Sequence, residues 1–159
     1  MTSSLGPLWH VGIVVEDLDA AMAELSATFG HEWTSTQDQQ VVVDVAGSAQ
    51  SSHVRWAASR GEQPDWEIIQ ADRGIWSCEA NGGSGLHHIA YWSEDLDADV
   101  ARLESEGYAV EASGTDTDGR LRFVYLLSRS GVRIELGARY TQAAWDEWVG
   151  GGSYGLGIS

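Results

Sequence analysis

The chain has 159 residues, a length that makes one compact unit or two half-size modules sharing a core. Hydrophobic residues at 43% and charged residues at 21% describe an ordinary globular protein, and a formal charge of −15 excludes polyanionic partners such as nucleic acid or an anionic membrane surface. The single cysteine, Cys78, excludes an internal disulfide framework, no apolar run approaches the roughly 20 residues that span a bilayer, and Met1–Pro7 lacks a secretory signal, so a cytoplasmic protein is expected.

Leu8–Val15, rich in β-branched residues, predicts a first strand. Asp17 then caps a helix running to about Phe29, with Leu18, Met22 and Leu25 at helical spacing and Gly30 as its stop. Glu32–Ala46 reads as a strand broken around Thr36–Asp38, Ser48–Ser52 as a loop, His53–Ala58 as a third strand and Asp65–Gln70 as a fourth, after a turn at Gly61–Pro64. Residues 71–85, ending in Asn81-Gly82-Gly83-Ser84-Gly85, read as a linker. The pattern then recurs: a strand at His87–Ser93, a helix from Asp95 to about Glu106, and strands at Tyr108–Ala112, Arg122–Leu127 and Val132–Leu136. Turns are expected at Gly114–Gly119 and Ser128–Gly131. A short helix over Thr141–Val149 and a frayed Gly-rich end from Gly150 complete the chain.

Two stretches align without a gap, 78 residues apart. His10-Val11-Gly12-Ile13-Val14-Val15-Glu16-Asp17-Leu18-Asp19-Ala20 returns as His88-Ile89-Ala90-Tyr91-Trp92-Ser93-Glu94-Asp95-Leu96-Asp97-Ala98, each a histidine opening a strand followed by an identical helix start. The fold class is therefore α+β: two tandem βαβββ modules, residues 8–70 and 86–138, forming an open, barrel-like mixed sheet cleft with helices outside, followed by the tail 139–159. Equivalent strand positions of the two modules converge in such a cleft. His10 and His88 are one equivalent pair. Glu67 and Glu135, each between apolar neighbours in a last strand, are another, at positions expensive for an unpaired carboxylate. Two imidazoles and two carboxylates suit a divalent first-row ion or magnesium, Mn, Fe, Co, Ni, Zn and Mg all being admissible.

These residues carry a resemblance. The segments His10–Leu18, Gly85-Leu86-His87-His88-Ile89-Ala90 and Val132-Arg133-Ile134-Glu135-Leu136 resemble the vicinal oxygen chelate superfamily of glyoxalases, bleomycin-resistance proteins and dioxygenases. The Gly-Leu-His-His segment looks most like methylmalonyl-CoA epimerase and its glyoxalase-like relatives. The resemblance implies one metal ligand on the first and last strand of each module, here His10, Glu67, His88 and Glu135, with Glu135 or Glu67 doubling as the catalytic base. His87, by strand alternation, is expected on the opposite face, in packing or a surface hydrogen bond. The epimerase carries a further glutamate base on the third strand of its first module, where this chain has His53-Val54-Arg55-Trp56-Ala57.

Alternation also places Trp92 on the face of His88 and Arg133 on the face of Glu135, sets Trp66 in the core, and puts Arg55 opposite Trp56 and Arg122 opposite Tyr125. With His53 as a substitute base, Arg55, Arg122 and Arg133 as a local anion site and Trp76 closing from the linker, the candidate substrate contacts are Trp92, Arg133, His53, Arg55 and Trp76. The implied function is a metal-dependent isomerase, epimerase or lyase acting through an enolate or oxyanion on an organic carbonyl compound, with an apolar or aromatic substrate favoured by eight tryptophans. A metal-free ligand-sequestering protein, a non-haem iron dioxygenase and a biosynthetic cyclase are the alternatives. The expected partner is a small-molecule substrate. A homodimer is admissible, since members of the superfamily build their sites within one chain or across two.

Overall fold

The computed structural model describes residues 5–61 and 63–155. The expectations for Met1–Ser4, for Glu62 within its turn and for the last four residues, Leu156–Ser159, lie outside this range. The first module runs β1 (Leu8–Val14), α1 (Leu18–Phe29), β2 (Glu32–Trp33), β3 (Gln37–Val45), β4 (Ser48–Arg60) and β5 (Asp65–Ala71). After a short helix α2 (Cys78–Asn81), the second runs β6 (Gly85–Ser93), α3 (Leu96–Ser105), β7 (Ala109–Thr115), β8 (Leu121–Leu127) and β9 (Arg133–Ala138). A 3-10 turn at Arg139–Thr141 leads into α4 (Gln142–Val149).

The repeated helix starts act as caps. Asp17 accepts from the Ala20 amide at 2.9 Å and Asp95 from the Ala98 amide at 3.1 Å, each removing one orphan donor from a first turn. Such a cap is worth ~1 kcal/mol.

Three features differ from the sequence reading. Ser48–Ser52 is strand, not loop: Ala46 and Gly47 both have positive φ, 52° and 83°, and form the two-residue turn that twists β4 back along β3 from the Val45–Ser48 pair. Its polar Ala-Gln-Ser-Ser stretch looks like loop because only Ser52 of it is buried. The linker holds α2 and the buried Ile75 and Trp76. The tail is not frayed through its described part: Trp145, Trp148 and Tyr154 join the main core cluster, and the Arg60 guanidinium donates to the carbonyls of Val149 and Gly150.

All nine strands form one sheet in the order β2-β4-β3-β7-β8-β9-β6-β1-β5, and a further pairing of β4 with β5 closes it into a ring, with β2 an outer extension on β4. The ring is mixed: β1 runs parallel to β5 and β6 parallel to β9, whereas β1 and β6 meet antiparallel. The expected open cleft is thus closed on its far side by β3 and β7, through two residue pairs, Asp44–Ser113 and Val45–Ala112. The larger core fills the barrel with Trp9, Val41, Val43, Val54, Trp56, Ile69, Trp76, Trp92 and Tyr125; the smaller lies under α3, with Leu96, Leu103, Val124, Leu126 and Leu136. Among the described residues no helix is long and apolar enough to cross a membrane.

Candidate metal centre and its cavity

The four central strands β9-β6-β1-β5 each contribute one donor. Register explains why they meet: Glu67 pairs with Gly12, two residues beyond His10, and Glu135 pairs with Ala90, two residues beyond His88. The modules therefore place a histidine and a glutamate in the same relation twice, and one chain supplies the whole set. His10 Nε2 lies 2.8 Å from His88 Nε2, 3.2 Å from Glu67 Oε2 and 3.5 Å from Glu135 Oε2. His88 Nε2 lies 2.9 Å from Glu135 Oε2 and 3.6 Å from Glu67 Oε2, and all four ligand atoms fall within 4.8 Å of one another.

The set fits a metal. Donors bound at ~2.0–2.2 Å to one ion stand ~3 Å apart along the edges of its coordination shell. Here the side chains are buried apart from Glu67, and the buried Glu135 Oε2 has no well-directed hydrogen bond. A single divalent ion suits this His₂Glu₂ composition. Without the ion, a proton takes its part. Burial opposes charge on His10, but the carboxylates of Glu67 and Glu135 overcome it and raise the imidazole to about 9. Burial likewise disfavours the Glu135 anion, yet His88 and His10 hold its carboxyl well below the usual range.

His87 is the first residue that alternation misplaces. Between the pairs Gly12–His88 and Ile13–Leu86 the strand β6 carries one extra residue, a β-bulge at His87, which turns its ring to the same side as His88. It is buried, with Nε2 2.9 Å from the carbonyl oxygen of Ile75 and Nδ1 2.8 Å from His88 Nδ1. A carbonyl only accepts, so His87 Nε2 carries the proton. Burial, with the charges of His88 and Arg133, lowers this ring to about 3 and keeps it neutral, so its Nδ1 is an acceptor for the His88 Nδ1–H. That fixes the His88 tautomer with its Nε2 lone pair turned to the centre. His10 has no such support: its Nδ1 finds no hydrogen-bond partner among the described residues.

A cavity of about 80 Å³ opens from the Glu67 and Glu135 side of the centre. Trp9, Trp56, Trp76, Tyr125, Trp145 and Tyr154 give it aromatic walls, with Arg122 its one basic residue. The tail makes one wall: the Trp145 ring stacks on His10 with centroids 5.0 Å apart, and its Nε1 donates to the buried Asp65 at 2.9 Å. Burial pushes the Asp65 carboxyl up, against that bond and one from Gln63. Tyr125 OH accepts from Trp76 Nε1 at 3.1 Å; burial and the nearby Glu135 and Glu67 charges push this phenol well above its ordinary value.

Of the candidate substrate contacts named from sequence, only Trp76 lines this cavity, with Arg122 from the expected anion site. Trp92 is stacked behind Trp9, ring centroids 3.8 Å apart, and is separated from the cavity by it. Arg133 grips Glu111 through two bonds of 2.6 and 2.8 Å and donates to the His87 carbonyl, beyond the metal centre. His53 and Arg55 sit on the outer face of β4, held by Asp38 and Asp19, because alternation turns Trp56 and Val54 inward instead. Trp66 packs outside the barrel against Phe29 and His31. Arg122 and Tyr125 both line the cavity, again because of a bulge: β8 has an extra residue between the pairs Gly114–Phe123 and Thr115–Leu121. Trp9, Trp145 and Tyr154 were not singled out from sequence; the i, i+3 spacing of Trp145 and Trp148 is the signal that a tail helix buries a face.

Residues 9–126 match the model of the glyoxalase/bleomycin resistance protein/dioxygenase superfamily. The chain is similar to an ethylmalonyl-CoA/methylmalonyl-CoA epimerase of Cereibacter sphaeroides, 30% identical over 139 residues, which cover 83% of this chain and 97% of that protein. It is also similar to a Streptomyces coelicolor methylmalonyl-CoA epimerase variant solved with 2-nitronate-propionyl-CoA, at 25% identity and a TM-score of 0.59 over 85% of this chain and 98% of the other. A Mycobacterium tuberculosis methylmalonyl-CoA epimerase shares the fold, with 23% identity and a TM-score of 0.61 over 87% and 91% of the two chains. Family model, barrel and paired histidine–glutamate strands agree, and the chain belongs to the glyoxalase/bleomycin resistance protein/dioxygenase superfamily.

Proposed function

We propose that the protein is a metal-dependent isomerase that moves the proton beside the carbonyl of an acyl thioester, in the manner of an epimerase. The observation that carries this reading is the convergence of two histidines and two glutamates at one end of a cavity, in a chain similar over 83% of its length to an acyl-CoA epimerase. A bound divalent ion supplies Lewis-acid stabilisation of the oxyanion that forms when the proton leaves.

The chain's own groups do the rest. His10 and His88 would hold the ion. Among the described residues Glu67 and Glu135 are the only carboxylates lining the cavity, so proton transfer falls to them. Glu67, the more exposed of the two at 13% against 6%, is the better placed to swing toward substrate. The indole walls exclude water from the carbanion. The similar enzymes are named for methylmalonyl-CoA and ethylmalonyl-CoA, so an acyl thioester replaces the aromatic compound favoured by the tryptophan count.

The test is exchange. Protein loaded with Co²⁺ or Mn²⁺ in D₂O should exchange the proton beside the carbonyl of methylmalonyl-CoA, and His10→Ala or Glu67→Gln should abolish this. No exchange by fully loaded protein overturns the reading. Tight binding of an aromatic drug without turnover would instead favour sequestration, which the aromatic walls make the second reading.

A further inference from the structure

Arg122 is the unexplained charge of this molecule. It is 5% exposed, yet among the described residues it forms no ion pair. Among the described residues Nε and Nη1 have no hydrogen-bond partner, and Nη2 makes one long contact, 3.4 Å, to the Tyr154 hydroxyl. Every other side chain lining the cavity is neutral or acidic. A cation buried without a counter-ion is strongly unfavourable, and arginine in particular cannot discharge itself by losing its proton. The β8 bulge is what turns it inward, and bulges recur where a side chain is re-aimed beside a site.

We infer that Arg122 is the anchor for a carboxylate on the substrate, so that the cavity takes a compound bearing a carbonyl toward the metal centre and an acid group toward β8. This rests on the reading of the centre as a carbonyl-polarising site and adds the class of compound it takes. Charge balance agrees: Glu67 and Glu135 offset a divalent ion held by two neutral imidazoles, which leaves Arg122 as one uncompensated positive charge in the cavity. A monoanionic ligand neutralises it. Geometry agrees as well. Tyr125 is paired with Glu135, and Arg122 lies three residues earlier on the same strand, so the guanidinium and the carboxylates of the metal centre face one small cavity from different places on its wall. Nη1, which is free, and Nη2, held by a single long contact, form the end-on pair that a carboxylate accepts, with Nε open to a further acceptor. A cavity of 80 Å³ admits on the order of six water-sized groups, enough for a short acyl unit with its acid but not for a large aromatic acid.

The experiment uses the metal-loaded protein and its tryptophan fluorescence, with monomethyl malonate and monomethyl succinate as probes and the uncharged dimethyl esters as controls. The wild type should bind at least one monoester tens of times more tightly than its diester. Arg122→Gln should erase that preference, a loss on the order of 30-fold. Arg122→Lys should recover part of it, and metal content should stay at one ion in both variants. Equal binding of monoester and diester by the wild type, or an undiminished preference in Arg122→Gln, overturns the assignment; the latter result means that the carboxylate binds the ion alone. The two proposals fail separately: an Arg122-dependent preference without solvent exchange into any thioester leaves the acid anchor standing and removes the isomerase reading.

Discussion

Gly12 is the floor on which the His88 imidazole lies. The two residues face each other across β1 and β6, and a Cβ built on residue 12 would stand 2.0 Å from His88 Cε1. The equivalent position of the second module is Ala90, so this clearance is needed once, not twice. Gly12→Ala should displace the His88 ring and weaken metal binding about 10–100-fold, the range found when support for a ligand is lost. Far-UV circular dichroism should be unchanged. Calorimetric titration with Zn²⁺ or Co²⁺ reads the effect, and an unaltered affinity would show that the ring has another place to lie.

His87 acts on the centre through His88. Replacing it with phenylalanine keeps the bulk near the Tyr125 ring, 5.5 Å away between centroids, but leaves the His88 Nδ1–H without its acceptor. Metal affinity should fall about tenfold or more, with the cobalt d–d spectrum altered as the His88 ring changes orientation. His87→Gln, which retains an acceptor, should fall between phenylalanine and the wild type.

Metal binding should release a proton. In the metal-free protein His10 is raised from 6.5 to about 9, so at pH 7 it is charged, and a divalent ion must displace that proton. The apparent affinity should therefore rise close to tenfold per pH unit between about 7 and 9 and level off above. Titration at pH 7 in buffers of differing ionisation enthalpy should count about one proton released per ion. The sign for metal-free stability is the reverse: a folded pKa above the unfolded one stabilises fully below 6.5 and is lost as the pH climbs through 9.

Trp145 ties the tail to the centre by stacking on His10 and by its bond to Asp65. Trp145→Ala removes a buried indole and leaves the buried Asp65 carboxyl with only its bond from Gln63, and should cost about 3–5 kcal/mol in urea unfolding. Trp145→Phe should cost less, and Asp65→Asn in that background should recover part of the difference, since the lost bond is to a group that burial already pushes toward its neutral form.

Most of the metal centre was legible because the repeat writes it twice: a histidine at the head of each first strand and a glutamate inside each last strand need only a parallel pairing to meet. Alternation sets Arg55 and Trp56 on opposite faces but does not say which face is inner: Arg55 was expected at the substrate, and it is Trp56 that lines the cavity. The cavity was hidden at bulges. One extra residue at His87 and another at Arg122 turn side chains inward that a period of two sends outward, and no residue type marks these places. The hairpin at Ala46-Gly47 was hidden differently, by a polar strand that draws its order from pairing with Val41–Val45 and not from burial of its own side chains. Trp92 shows a third limit: its face was read correctly, but Trp9 stands between it and the cavity.

The four metal donors end at Glu135, whereas Trp145 and Tyr154, which wall the cavity, come from the segment after Ala138. Part of what the site admits is thus written in a stretch of the chain that supplies none of its metal donors. A descendant that kept Trp145 against His10 and exchanged the residues after it would reshape the Tyr154 wall and change its guest with the four donors in place.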